Sequence, residues 1–149
     1  GAAHACHDGN HPRGYFVPEE HVIKGSFEIG DLKITPLALP HGSMGSTGYL
    51  FEQGGEKKLA YLTDAKAVPK EVVQAVKGVE VAVLDALRPE EHWTHMSTRE
   101  ALSAAEQIGP GETVFTHLTH YYDHDIDQAK LPEGVRLAWD GLRVISSLQ

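Results

Sequence analysis

The chain has 149 residues, 41% of them apolar and 23% charged, with a formal net charge of −8; this is the composition of one globular domain and excludes a disordered, collagenous or fibrous polypeptide. No run approaches the roughly 20 apolar residues needed to span a bilayer, and the first residues lack the charged and apolar blocks of a signal peptide, so a cytoplasmic protein with no membrane partner is expected. A single cysteine, Cys6, excludes an internal disulfide framework and an all-cysteine metal site, and the acidic balance argues against a phosphate-backbone footprint, which makes nucleic acid a less favoured partner.

Residues 1–25, rich in His, Gly, Pro and charge, read as an irregular segment, and 26–149 as one domain. Phe27 to Ile29 and the alternating run Leu32 to Leu39 are predicted strands. Thr47 to Glu52 and Lys58 to Leu62 form a predicted hairpin about the turn signal Gly54-Gly55. A helix is expected from Pro69 through Val76, with the proline in its first turn, and a buried strand from Val79 to Leu84, ending at Asp85. Ser97 and Glu100 have the spacing of a capping box for a second helix, whose apolar face is Ala101, Leu102, Ala104, Ala105 and Ile108, stopped by Gly109. Then come a strand from Thr113 to Thr116, a short polar helix after Asp123 with His124 facing solvent, and a final hairpin of Val135 to Ala138 with Leu142 to Ile145. Strands alternating with helices make this an α/β domain with several antiparallel pairs.

Ten histidines are present, about three times what average usage gives, and imidazole suits first-row metals and proton transfer near neutrality. Three strands end in a metal-competent residue: Leu39-Pro40-His41, Leu62-Thr63-Asp64 and Phe115-Thr116-His117. Loops at the carboxyl ends of α/β strands converge on one edge, so these three point to one pocket.

The succession Leu39-Pro40-His41-Gly42, Tyr61-Leu62-Thr63-Asp64-Ala65, His92-Trp93-Thr94-His95-Met96-Ser97 and Thr116-His117-Leu118-Thr119-His120 resembles the metallo-β-lactamase superfamily. Within it the likeness is to the phosphodiesterases that open phosphoribosyl 1,2-cyclic phosphate, and the tail Asp140-Gly141-Leu142 fits the same branch. The resemblance runs from about His21 to Val144 and covers only the C-terminal half of such a protein. It implies an αββα sandwich, here mainly its C-terminal half, with two divalent ions, Zn or Mn, at the edge, activating a water that attacks phosphorus. By position His41 would ligate one ion, Asp64 would bridge both, and His117 would ligate the other, while His95 would be the general acid that protonates the leaving group. His92 and His120 are candidates for orienting a ligand or meeting phosphate, Asp85 for holding His95 or its loop, and Arg88 for meeting substrate phosphate.

The superfamily's His-x-His-x-Asp-His signature is absent, and the nearest stretch, with His4, His7, Asp8 and His11, has the residue types in a different spacing. Without it each ion has two protein ligands where three or four are usual, so the site is incomplete in this chain. Extra ligands are then expected from His4, His7, Asp8 and His11, from an N-terminal half, or from another chain, and the exposed half-sandwich favours a homodimer or pairing with that half. The expected function is metal-dependent hydrolysis of a small or cyclic phosphodiester. The alternatives are a tRNA-processing type of metallo-nuclease and a truncated, non-catalytic metal-binding remnant.

Overall fold

The computed structural model describes residues 21–145. Seven strands form one sheet in chain order: β1 (Phe27–Ile29), β2 (Leu32–Leu39), β3 (Ser46–Gln53), β4 (Glu56–Leu62), β5 (Val81–Asp85), β6 (Glu112–Thr116) and β7 (Val135–Leu137). The first four pair antiparallel as a meander, and β4 through β7 pair parallel. Each parallel step needs a crossover, and the three helices supply it: α1 (Lys70–Val76), α2 (Thr98–Ile108) and α3 (His124–Gln128). Two antiparallel steps restore direction, so β2 runs the same way as β4, β5 and β6. Their carboxyl ends therefore lie along one edge, and that edge carries His41, Asp64, Asp85 and His117.

Helix α2 forms where its caps direct it. The Ser97 hydroxyl accepts from the Glu100 N–H and the Glu100 carboxylate accepts from the Ser97 N–H, the reciprocal pair that satisfies two free donors of the first turn. Gly109 ends the helix in the left-handed region, φ 62°, where a side chain would be strained. Pro69 stands at the cap position of α1, one residue before the predicted first turn.

The core lies between the sheet and the helices. Val72, Val73 and Val76 of α1 and Ala101, Ala104, Ala105 and Ile108 of α2 pack on Leu39, Leu50, Leu62, Leu84 and Phe115. Truncating a fully buried leucine such as Leu62 or Leu84 in a core of this kind costs about 2–5 kcal/mol. Alternation along the strands sends the remaining apolar side chains to the other face. In register across it lie Ile34, Phe51, Leu59 and Val81 in one row, and Tyr49, Tyr61, Val83 and Val114 in the next. Ile34, Val81 and Val114 are buried yet stand apart from the helix-side cluster, and Tyr61 is exposed.

The final hairpin does not form. Strand β7 ends at Leu137, the chain turns where the Leu142 N–H donates to the Trp139 carbonyl, and 142–145 have no strand partner. Val144 and Ile145 are both exposed, so these apolar residues have no buried face to hold them as a strand. Among the described residues no helix is long and apolar enough to cross a membrane.

Candidate metal centre

Four loops meet at the carboxyl edge of the sheet and are laced by backbone hydrogen bonds. The Lys66 N–H donates to the Pro40 carbonyl, Met96 to Ala65, Leu87 to Met96 and Thr119 to Leu87. The Tyr122 hydroxyl donates to the Ala86 carbonyl and accepts from Thr98, tying the loop after β6 to the end of β5. The side chains on these loops are therefore held on a braced frame, as precise ligand geometry requires.

Asp64 and His117 are the only non-glycine residues with positive φ among the described residues, at 57° and 62°. That conformation costs of order 1–3 kcal/mol each and persists where the surroundings fix it. Around Asp64 they do so: its carbonyl accepts from the Ser46 hydroxyl at 2.7 Å, and the next N–H, of Ala65, donates to Asp85 Oδ2 at 2.9 Å. Left-handed backbone thus falls at two of the three strand-end residues.

The side chains converge. Donor atoms of His41, Asp64 and His95 all lie within 4.8 Å of one another, and His117 Nε2 lies 3.3 Å from Asp64 Oδ1. The His95 ring stacks on His117 with centroids 4.9 Å apart and meets His41 edge-on at 4.8 Å. Hydrogen bonds fix which nitrogens are free. His41 Nδ1 lies 3.2 Å from the Thr94 carbonyl and His95 Nδ1 lies 2.7 Å from Asp85 Oδ2. Each therefore donates from Nδ1 and leaves Nε2 for a metal or a proton, the arrangement usual for ligating histidines. Two donors on one zinc at about 2.1 Å can be no more than about 4.2 Å apart. Three donors held tetrahedrally at that distance stand about 3.4 Å apart, so the trio closes on an ion when each donor moves by less than about 1 Å, and the residues fit a divalent metal.

His92 differs in its proton. Its Nδ1 accepts from the Thr94 N–H at 3.3 Å and stands 3.1 Å from the Thr94 hydroxyl, so the neutral ring carries its hydrogen on Nε2 and is a donor. Burial, with help from the nearby Arg88 guanidinium and His95, holds its pKa below the ordinary histidine value. Arg88 itself donates to the Glu91 carbonyl. His120 is exposed and packs against Tyr121, with centroids 4.4 Å apart, and His124 is exposed beside Trp139; neither is among the rings that meet at His95. His4, His7, Asp8 and His11 lie outside the described residues. Sequence reasoning missed Thr94, whose backbone and hydroxyl orient both His41 and His92. Its signal was its place between two histidines, with burial to 8% exposure seen only in the fold.

The beta-lactamase superfamily domain model matches residues 7–118, and the chain belongs to that family. Its fold is that of the metal-dependent hydrolases of the superfamily: a crystal structure described as a new diphosphatase from the PhnP family is 33% identical with a TM-score of 0.75, over 83% of this chain and 46% of that one. The human tRNase Z short form, 17% identical with a TM-score of 0.64 over 83% of this chain and 48% of that one, shares the fold. A protein of Porphyromonas gingivalis named octanoyltransferase is 32% identical over 80% of this chain but only 24% of its own length. The chain thus spans about a quarter of that curated relative and about half of the solved structures.

Proposed function

We propose that this chain is the C-terminal half of a dinuclear metal centre that hydrolyses a small or cyclic phosphodiester. The observation that supports it is the convergence of His41, Asp64, His95 and His117 on one sheet edge, with donor atoms at ligand spacing. His41 and His117 would each hold one ion and the Asp64 carboxylate would bridge the two. Zinc or manganese suits such imidazole and carboxylate donors. Bound there, two divalent ions neutralise phosphoryl charge and activate water as the nucleophile.

The chain's own groups do the rest. His95, held through Nδ1 by the buried Asp85 carboxylate, presents Nε2 to the cluster and donates a proton to the leaving oxygen. His92 offers its Nε2–H to a phosphoryl oxygen, and Arg88 adds positive potential beside it. The net charge of −8 favours a small anionic substrate over a polynucleotide.

The mutual approach of His41, Asp64 and His95 favours a second reading of one residue, in which His95 is a third ligand. Either way each ion lacks ligands that the chain's described residues do not supply. A further polypeptide carrying His-x-His-x-Asp-His would complete them and cover the sheet face of Tyr49, Tyr61 and Val83. The test is phosphorus NMR of a ribose cyclic phosphate incubated with the chain, that polypeptide and Mn or Zn. Conversion to a monoester supports the proposal. An unchanged diester with every metal leaves a metal-binding remnant.

A further inference from the structure

Trp93 is 77% exposed, although burying an indole would remove roughly 150–250 Å² from water. It is not loosely placed. A Cβ added at Gly42 would stand 3.3 Å from Cζ3 of the indole and 2.9 Å from Cγ2 of Thr94, and Gly42 itself has a φ of 57°. The benzo edge of Trp93 thus lies against the backbone immediately after His41. The His92 ring is tilted 37° to it at a centroid distance of 6.1 Å, and His92 is 5.2 Å from His95. The indole therefore stands at the rim of the histidine cluster, on the loop of His92 and His95 and against the turn that follows His41. Met44, 85% exposed, lies on the same turn as Gly42, closed by its own N–H to the His41 carbonyl.

A single exposed apolar side chain needs no explanation. Here the flat apolar surface stands next to a histidine cluster that carries hydrogen-bond donors, close enough for the two to meet different parts of one molecule. Resting on the reading that the cluster binds a phosphodiester, we infer that Trp93 is a stacking platform for a planar aromatic or heteroaromatic group on the substrate's ester arm. The indole is a specificity residue: it holds the flat group by offset stacking while the phosphate lies at the histidines, and it takes no part in bond cleavage. Loss of one such stack weakens binding about tenfold.

The two tryptophans are Trp93 and Trp139, so Trp139→Phe leaves Trp93 as the only indole reporter. The full chain with this substitution, in excess Mn, is titrated with adenosine 2′,3′-cyclic phosphate and, separately, with glycerol 1,2-cyclic phosphate. Quenching of Trp93 emission by the adenosine compound, with binding about tenfold tighter than for the glycerol compound, supports the proposal. Binding of both compounds by the otherwise native chain and by Trp93→Ala is compared calorimetrically; the preference should vanish in Trp93→Ala and survive in part in Trp93→Phe. Equal binding of the two compounds, or a preference unchanged in Trp93→Ala, overturns it. So does protection of Trp93 from acrylamide, which would mean that another part of the protein covers the ring. Because the readout is binding, adenosine compound that stacks but is still not hydrolysed after a polypeptide carrying His-x-His-x-Asp-His is added contradicts the hydrolase reading alone, whereas hydrolysis in that mixture without any dependence on Trp93 contradicts the stacking alone.

Discussion

His95 Nδ1 and Asp85 Oδ2 are 2.7 Å apart, and the same carboxylate oxygen accepts the Ala65 N–H at 2.9 Å. Asp85 has no exposed surface, so its charge is stabilised by these two donors and by little water. One buried oxygen thus holds the imidazole proposed to donate a proton and the peptide that follows Asp64. Asp85→Asn, with its carbonyl oxygen in the Oδ2 position, keeps the acceptor of both hydrogen bonds, loses the charge and puts an amide NH2 where Oδ1 has no partner. Turnover should fall about 10–100-fold, the usual effect of removing a carboxylate behind a functional histidine, with little change in KM. Steady-state kinetics on one diester checks this, and an unchanged kcat would reduce Asp85 to a structural anchor.

Asp64→Asn should abolish bound metal. Asparagine tolerates the left-handed backbone found at φ 57° at least as well as aspartate does, so the fold should persist while the charge that holds two cations together is lost. Equilibrium dialysis against Mn, with circular dichroism as the folding control, measures it. Full metal occupancy in the variant would remove Asp64 from the site.

His95→Ala separates the two roles open to that ring. A proton donor is worth roughly 10²–10⁴ in rate and leaves metal content intact, and its loss matters little when the leaving group is p-nitrophenolate. A ligand lowers metal content and slows good and poor leaving groups alike. The expected result is retained metal and a rate loss that shrinks with the p-nitrophenyl ester.

Glu100 gives a pH dependence of known sign. Burial pushes its carboxyl up, but hydrogen bonds from Lys66 and from Ser97 outweigh this and hold it below the ordinary value of 4.5. A depressed folded pKa contributes stability that is fully present above the unfolded value and is lost as pH falls through the folded one. Glu100→Gln should therefore be less stable than the native chain at pH 7, by about 0.5 kcal/mol for a partly exposed ion pair. The gap should hold down to about pH 5 and close below pH 4. Urea midpoints measured across that range test it, and a gap that widens on acidification would reverse the sign.

The strand-end residues were legible because each follows a run whose apolar pattern is local: Leu39, Leu62 and Phe115 are all buried, and the polar residue two places after each lies in the loop that follows. The capping box of Ser97 and Glu100 was legible for the same reason, since its chemistry spans only three residues. What was not legible depends on distant partners. The Thr94 carbonyl orients His41 across 53 positions, and the left-handed backbone of Asp64 and His117 is imposed by neighbouring loops against the residues' own preference. Leu142 to Ile145 shows the converse. Its apolar residues have a strand-like composition, but the sheet offers them no partner among the described residues, and propensity alone does not make a strand.

The proposed function needs a metal site shared between this chain and a complementary ligand set. The most direct measurement is the rate of bis(p-nitrophenyl) phosphate hydrolysis in excess Mn, by the chain alone and after addition of a polypeptide carrying His-x-His-x-Asp-His. A shared site predicts at most very weak hydrolysis by the chain alone, because its identified donors give each ion two or three protein ligands, and a large rise in rate and metal affinity with the added polypeptide. Robust metal-dependent hydrolysis by the chain alone would contradict the shared site, and no hydrolysis in the completed mixture would contradict the enzyme.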